Sequence, residues 1–249
     1  MNEKIIKTER VFKKSEPIDH LNDLDGITLI VNEQRKAAID VKRVVIPISN
    51  AINKIFNHLI SNDVGRLIYV GAGTSGRIGI QDGVELIPTF NWPKKRLDFI
   101  IAGGNKAIVN TVENAEDDTA TAVEIVKTKQ INSKDVVIGL AASGNTPFTC
   151  KVMEEAKKKN ALTISISNNP KGNILTFGKV KIILDTKEEV IAGSTRLKAG
   201  TAQKICLNII SSMVMIKMGG VKNGLMKNML PTNEKLRKRK VLIDSNIIK

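Results

Sequence analysis

Two apolar runs end in small residues and hydroxyls. Leu67-Ile68-Tyr69-Val70 leads into Gly71-Ala72-Gly73-Thr74-Ser75-Gly76-Arg77, and Val136-Val137-Ile138-Gly139-Leu140 leads into Ala141-Ala142-Ser143-Gly144-Asn145-Thr146-Pro147. Each reads as a buried strand whose loop opens a helix. A helix start carries unpaired N–H groups and a partial positive charge. Small residues let an anion approach that backbone, and hydroxyls add donors. One such loop alone reads equally well as a tight turn with a serine N-cap. Two of them together point to a site for a phosphorylated small molecule.

The first loop also fits the dinucleotide pattern G-x-G-x-x-G. A dinucleotide site needs an acidic residue at the end of the second strand, to hold the ribose. Here that strand ends Phe99-Ile100-Ile101-Ala102-Gly103-Gly104, and Asp98 sits at its start. No Lys-Ser or Lys-Thr follows the glycines, so a nucleoside-triphosphate loop is excluded too.

Carboxylates close to these loops are candidates for proton transfer. Asp82 and Glu85 lie just beyond the first loop, in Ile80-Gln81-Asp82-Gly83-Val84-Glu85-Leu86-Ile87-Pro88-Thr89. Glu85, flanked by apolar residues, is either a surface residue or a carboxyl facing the site, where burial raises a pKa and favours proton donation. The cluster Glu113-Asn114-Ala115-Glu116-Asp117-Asp118 reads partly as an acidic helix start, most strongly at Asp117 and Asp118. Its spacing does not separate Glu113 from Glu116.

The elements that must hold these groups alternate. Strands are expected at 67–70, 97–102, 135–140, 161–166 and 180–184, with helices at 75–86, 105–112, 116–130, 147–160, 196–218 and 231–243. Continuous apolar strands between helices predict an α/β fold with a doubly wound, mainly parallel five-stranded sheet flanked by helices. Residues 15–61 predict helices that break near Pro47. The chain reads as one domain, with an N-terminal helical arm (1–62), an α/β core (63–220) and a C-terminal helix and tail (221–249).

Bulk properties narrow the function. Hydrophobic residues make up 42% and charged residues 26% of the 249, ordinary for a globular protein. The net charge of +14 is spread along the chain, and aromatics are only 3%, too few for base-stacking platforms. No nucleic acid partner is expected. No apolar run reaches bilayer length by inspection and no signal peptide is seen, so a cytoplasmic protein without a membrane partner is expected. Cys150 and Cys206 read as reduced thiols, and with only His20 and His58 a histidine metal centre is not expected.

Taken together these segments resemble the N-acetylmuramic acid 6-phosphate etherases of the sugar isomerase (SIS) superfamily. The matching stretches are Arg66–Arg77, Ile101–Gly104, Glu113–Asp118 and Ala141–Pro147. Most specific is Val190-Ile191-Ala192-Gly193-Ser194-Thr195-Arg196-Leu197-Lys198-Ala199-Gly200-Thr201-Ala202-Gln203-Lys204, followed by Pro231-Thr232-Asn233-Glu234-Lys235-Leu236-Arg237. The resemblance implies a SIS-type fold and a lyase that cleaves the D-lactyl ether by elimination and then hydration. It implies no cofactor and no metal. It gives Glu85 the role of proton donor to the departing lactate and Glu116 that of second acid/base group. Ser143, Asn145 and Thr146 would hold the phosphate of a phosphorylated amino sugar, with Thr74 and Ser75 near sugar or phosphate. Ser194, Thr195 and Lys198 would line the same pocket. It also implies a homodimer whose sites the neighbour completes. A non-catalytic sugar-phosphate-binding regulator of the same fold is the alternative, and an aldose–ketose isomerase is disfavoured by the Ala192–Lys204 block.

Two departures stand out. The family pattern Asp-Ala-Ser-Glu-Cys-Pro-Pro-Thr is Asp82-Gly83-Val84-Glu85-Leu86-Ile87-Pro88-Thr89 here. The family also continues past the Thr-Asn-Glu-Lys-Leu helix into a small helical segment, which is not expected within the residues up to Lys249.

Overall fold

The structure is a computed structural model and describes residues 6–13, 15–231 and 234–247. Strands β1 (Leu67–Gly71), β2 (Leu97–Ile101), β3 (Val136–Ala141), β4 (Leu162–Ser167) and β5 (Val180–Ile183) form one sheet in the order β2-β1-β3-β4-β5. Every pairing in it is parallel. The central strands β1, β3 and β4 are buried throughout, whereas β2 and β5, at the edges, are partly open. Continuous apolar strands are what two covered faces require.

The flanking helices are α1 (Asp23–Lys42), α2 (Val45–Ile60), α3 (Gly73–Phe90), α4 (Thr119–Thr128), α5 (Pro147–Lys158), α6 (Lys198–Lys217) and α7 (Glu234–Ile247). Successive strand residues serve opposite layers. Leu67 and Tyr69 pack with Ile48, Ile52, Ile55 and Leu59 of α2 and with Cys206, Leu207 and Ile210 of α6. Ile68 and Val70 pack with Ala122 and Val126 of α4 and with Phe148, Val152 and Met153 of α5. Each fully buried Ile, Leu or Phe stabilises the fold by about 1.5–3 kcal/mol. The N-terminal helices therefore belong to one of the two layers.

Helix α3 lies close on the sheet because three of its four glycines face the strands. A Cβ at Gly76 would stand 2.8 Å from Ile101 Cγ1, one at Gly79 3.2 Å from Tyr69 Cβ, and one at Gly83 2.5 Å from Phe99 Cε1. The third glycine of the dinucleotide-like pattern thus acts in helix–sheet packing.

Several boundaries differ from expectation for local reasons. The helical arm starts at Asp23, where the Asn22 side chain accepts from Asp25 N. It breaks at Arg43–Val44, which leaves Pro47 in the first turn of α2, where a missing N–H costs little. The helix expected at 105–112 is a 3-10 turn, Gly104–Ile108, entered through Gly103 at φ +81. α4 begins only at Thr119, capped by Asp118, whose carboxyl is lowered by its hydrogen bonds from Thr121. Glu116 consequently sits in a turn ahead of the helix. An unexpected hairpin pairs β6 (Val221–Lys222) with β7 (Leu225–Met226) across Asn223-Gly224, both at positive φ. That dipeptide is a hairpin signal present in the sequence. Residues 232 and 233, inside the helix expected at 231–243, lie outside the described residues.

Contrary to expectation, α6 is by length and composition apolar enough to cross a membrane. Most of its apolar residues, among them Ala202, Cys206, Leu207, Ile210, Val214 and Met215, are instead buried between the sheet and helices α1, α2 and α3, while Met213 and Ile216 are exposed. Burial also governs the two thiols. Desolvation pushes Cys150 up to about 11, and desolvation with the nearby Asp82 charge pushes Cys206 up to about 12. In the native protein at pH 8 neither thiol should react with Ellman's reagent, and both should react in guanidinium chloride. A thiol titrating in the native state would contradict this packing.

Candidate active site

Strands β1 and β3 are neighbours, with Gly71 in register with Leu140, so the two loops emerge side by side at the carboxyl end of the sheet. Chain order reverses between these strands, which is where open α/β sheets bind ligands. Neither helix that follows is capped by a side chain: Ala72 precedes α3, and Thr146 precedes α5 without making a cap bond. Helices α1 and α4, by contrast, are capped by Asn22 and Asp118. The serine-cap alternative therefore does not apply to either loop. A helix start without a side-chain cap leaves backbone donors for a ligand, more so at α3 than at α5, where Pro147 has no N–H and Phe148 N donates to Glu116 O at 2.9 Å.

The second loop is tightly built. Gly144 is at φ +75, and a Cβ there would stand 2.4 Å from Gly172 Cα and 2.6 Å from Ser167 Oγ. Ser143 Oγ accepts from Asn145 N at 3.1 Å, and Asn145 Oδ1 accepts from Asn173 N at 2.8 Å. Asn169 Nδ2 donates to Ser143 O at 3.2 Å, while Ser167 Oγ donates to Asn169 O and accepts from its N–H. Gly172, Asn169 and Asn173 were not among the residues the sequence singled out. Only the fold brings the turn after β4 under the loop.

Glu116 lies between the loops. Its carbonyl accepts from Phe148 N at 2.9 Å, at the start of α5. Its carboxylate reaches the other loop, where a Cβ on Gly73 would stand 3.2 Å from Glu116 Oε1. Of the two glutamates that spacing left open, Glu116 is thus the one beside both helix starts.

The third block comes to the same place. A Cβ on Gly200 would meet Thr195 O and Thr74 Cγ2, both at 3.3 Å, so the Gly193–Leu197 turn rests against the start of α3. Ser194 and Thr195 are half-buried there. Residues 7–9 hold this block from outside. Gly193 N donates to Thr8 O at 3.2 Å, and Lys7 Nζ lies 2.8 Å from Asp185 Oδ2.

Lys198 departs from its expected role. It is buried, and its Nζ donates to Glu33 Oε2 at 2.9 Å and to Glu188 O at 2.8 Å. Beneath it, Glu189 caps α6 by accepting from Lys198 N at 3.1 Å and Ala199 N at 2.7 Å. Burial raises the Glu33 carboxyl, but Lys36 and Lys198 outweigh it and hold the group below its usual value. Burial raises Glu189 against the pull of those amides. The apolar context of α6 gave no hint that its first lysine would pair with α1.

Asp82 also has a structural role. Its carboxylate accepts from Tyr69 Oη (2.8 Å), Asn208 Nδ2 (2.7 Å) and Ser211 Oγ (3.0 Å), joining β1, α3 and α6. Burial and the Asp82 charge raise Tyr69 well above its usual value. Glu85, one turn further on, is exposed. It follows Gly73 by twelve residues on one helix, roughly 18 Å along the axis. Within one chain the structure therefore does not bring Glu85 to Glu116.

A parallel sheet in this order, with a hydroxyl-bearing loop and an uncapped helix start on each side of its switch point, is that of the SIS class of α/β proteins. A SIS domain model matches residues 109–213, and a model of the glucokinase regulatory protein N-terminal SIS domain matches residues 47–157. The phosphoheptose isomerase of Francisella tularensis superposes with a TM-score of 0.56 at 17% identity, covering 79% of this chain and 98% of that one. A protein of E. coli CFT073 gives 0.58 at 17% identity, covering 82% and 97%. The chain belongs to the N-acetylmuramic acid 6-phosphate etherase family. It is 44% identical to the Clostridium acetobutylicum member over 96% of this chain and 78% of that protein. It is 41% identical to an Enterococcus faecalis member over 100% and 81%.

Proposed function

We propose that this protein is a carbon–oxygen lyase that cleaves the D-lactyl ether of N-acetylmuramic acid 6-phosphate. The products are N-acetylglucosamine 6-phosphate and D-lactate, in cytoplasmic recycling of cell-wall amino sugars. The observation that carries this reading is a carboxylate, Glu116, set between two helix starts that no N-cap side chain closes, in a chain 44% identical to an etherase. The helix starts, with Thr74, Ser75, Ser143, Asn145 and Thr146, are the anchor for the phosphate. Ser194 and Thr195 close the side formed by α6. Elimination takes the C2 proton next to the opened aldehyde and breaks the C3–O bond, and the lactate oxygen gains a proton. Water then adds its hydroxyl to C3 and a proton to C2. Glu85 protonates the departing lactate, and Glu116 acts at C2 or on the attacking water.

The working unit in this reading is a homodimer. Glu85 is exposed, lies far along α3 from the anchor, and has exposed Val84 beside it. A glutamate so placed serves a second copy's anchor more readily than its own. Leu24, Ile27 and Val31 add an exposed apolar stripe on α1 at helical spacing.

The test is to incubate the purified protein with N-acetylmuramic acid 6-phosphate and assay D-lactate. Lactate and N-acetylglucosamine 6-phosphate should appear in equal amounts. A folded protein that binds the sugar phosphate without releasing lactate would favour a regulatory SIS protein, a reading that rests on the match to the glucokinase regulatory protein model.

A further inference from the structure

We infer that Arg77 is the positioning residue that sets the Glu116 turn over the first loop. This rests on the etherase reading for its catalytic consequence, but not for its structural one. Arg77 lies in the second turn of α3, and its side chain crosses to the segment after β2. Its Nε donates to Ala107 O and Ile108 O, both at 3.0 Å, and its Nη2 donates to Asn110 O at 3.0 Å. These carbonyls end the Gly104–Ile108 turn, where a short helix leaves acceptors without partners of its own. One planar guanidinium therefore gathers three carbonyls, a task its fork geometry suits and a lysine ammonium does not.

The segment from Gly103 to Glu116 is held at three points. Its base is closed by Val112 packing on Gly103, where a Cβ would stand 2.8 Å from Val112 Cβ. Its far end is held by the Phe148 N–Glu116 O bond. Arg77 fixes the middle, and it does so from the helix whose first residue, Gly73, faces the Glu116 carboxylate. The separation between that carboxylate and the first helix start is thus set by a side chain on the same helix. Neighbouring Val109 is exposed, and two of the three bonds lie at exposed positions, so water can replace the donors and the fold survives their loss.

The experiment compares Arg77→Ala and Arg77→Lys with the parent protein by lactate release and by amide hydrogen exchange. Both variants should lose about 10- to 100-fold in kcat, the scale expected for a small misplacement of a reacting group, with KM within about threefold. Exchange should quicken across residues 104–118 and stay unchanged across 141–150. A kcat within twofold of the parent, or a raised KM at unchanged kcat, would overturn the inference, the latter by making Arg77 a substrate contact. If the parent itself releases no lactate, the etherase reading fails and exchange alone decides. Faster exchange confined to 104–118 then upholds the positioning role, and unchanged exchange there rejects it.

Discussion

Glu85→Gln and Glu116→Gln should each release D-lactate at no more than about a hundredth of the parent rate, the usual loss when a general acid or base is removed. Mixed together after subunit exchange, the two inactive variants should regain roughly a quarter of it. The recovery follows from the shared site. Half of randomly reassorted dimers are mixed, and in each of those one of two sites pairs an intact Glu116 with an intact Glu85. The geometry behind this is the position of Glu116 Oε1 beside Gly73 and of Glu85 roughly 18 Å further along α3. Glutamine keeps the size of the side chain and removes its proton chemistry, so folding should be unaffected. Near-parent rates in either variant would reject that residue's role. Two inactive variants that never complement would put both glutamates in one chain and reject the shared site.

Gly144→Ala should remove both stability and phosphate binding. Positive φ costs an L side chain about 1–2 kcal/mol, and overpacking against backbone about 1–3 kcal/mol more. The added methyl would meet Gly172 Cα at 2.4 Å, and backbone cannot swing aside as a flexible side chain does. The combined cost of about 2–5 kcal/mol is a large part of a typical domain's 5–15 kcal/mol. The expected fall in Tm is on the order of 5–15 °C. N-acetylglucosamine 6-phosphate should raise the Tm of the parent but not of the variant, because the loop that presents Ser143 and Asn145 is displaced. Gly104→Ala separates the two costs. Gly104 is at φ +64 with nothing within 4 Å of its Cβ position, so only the conformational cost applies. Equal melting of the two variants would show that the contact with Gly172 is not tight.

The limits of sequence reading are clearest at particular residues. Strand positions were legible because a strand covered on both faces must be continuously apolar, as β1 and β3 are. The loops were legible because glycine and hydroxyl residues cluster directly after the apolar runs of β1 and β3. The start of α5 at Pro147 agrees with expectation, whereas α4, expected from 116, starts at Thr119, since the acidic run 113–118 satisfies a helix start and a turn equally well. Lys198 was misassigned because a lysine in a signature block gives no sign of where its ammonium goes. Its partner Glu33 is 165 residues away.

What the sequence determined by itself was local: apolar periodicity, the composition of the loops, and the block resemblance that named a family. Tertiary structure alone decided what depends on long-range meeting. It set Glu116 between two helix starts, put Gly172 against Gly144, turned Arg77 toward the carbonyls of 107–110, and removed Lys198 from the pocket. Those outcomes follow from how a parallel sheet orders its strands. Crossover connections bring together residues far apart in sequence, and no local pattern encodes which of them will touch.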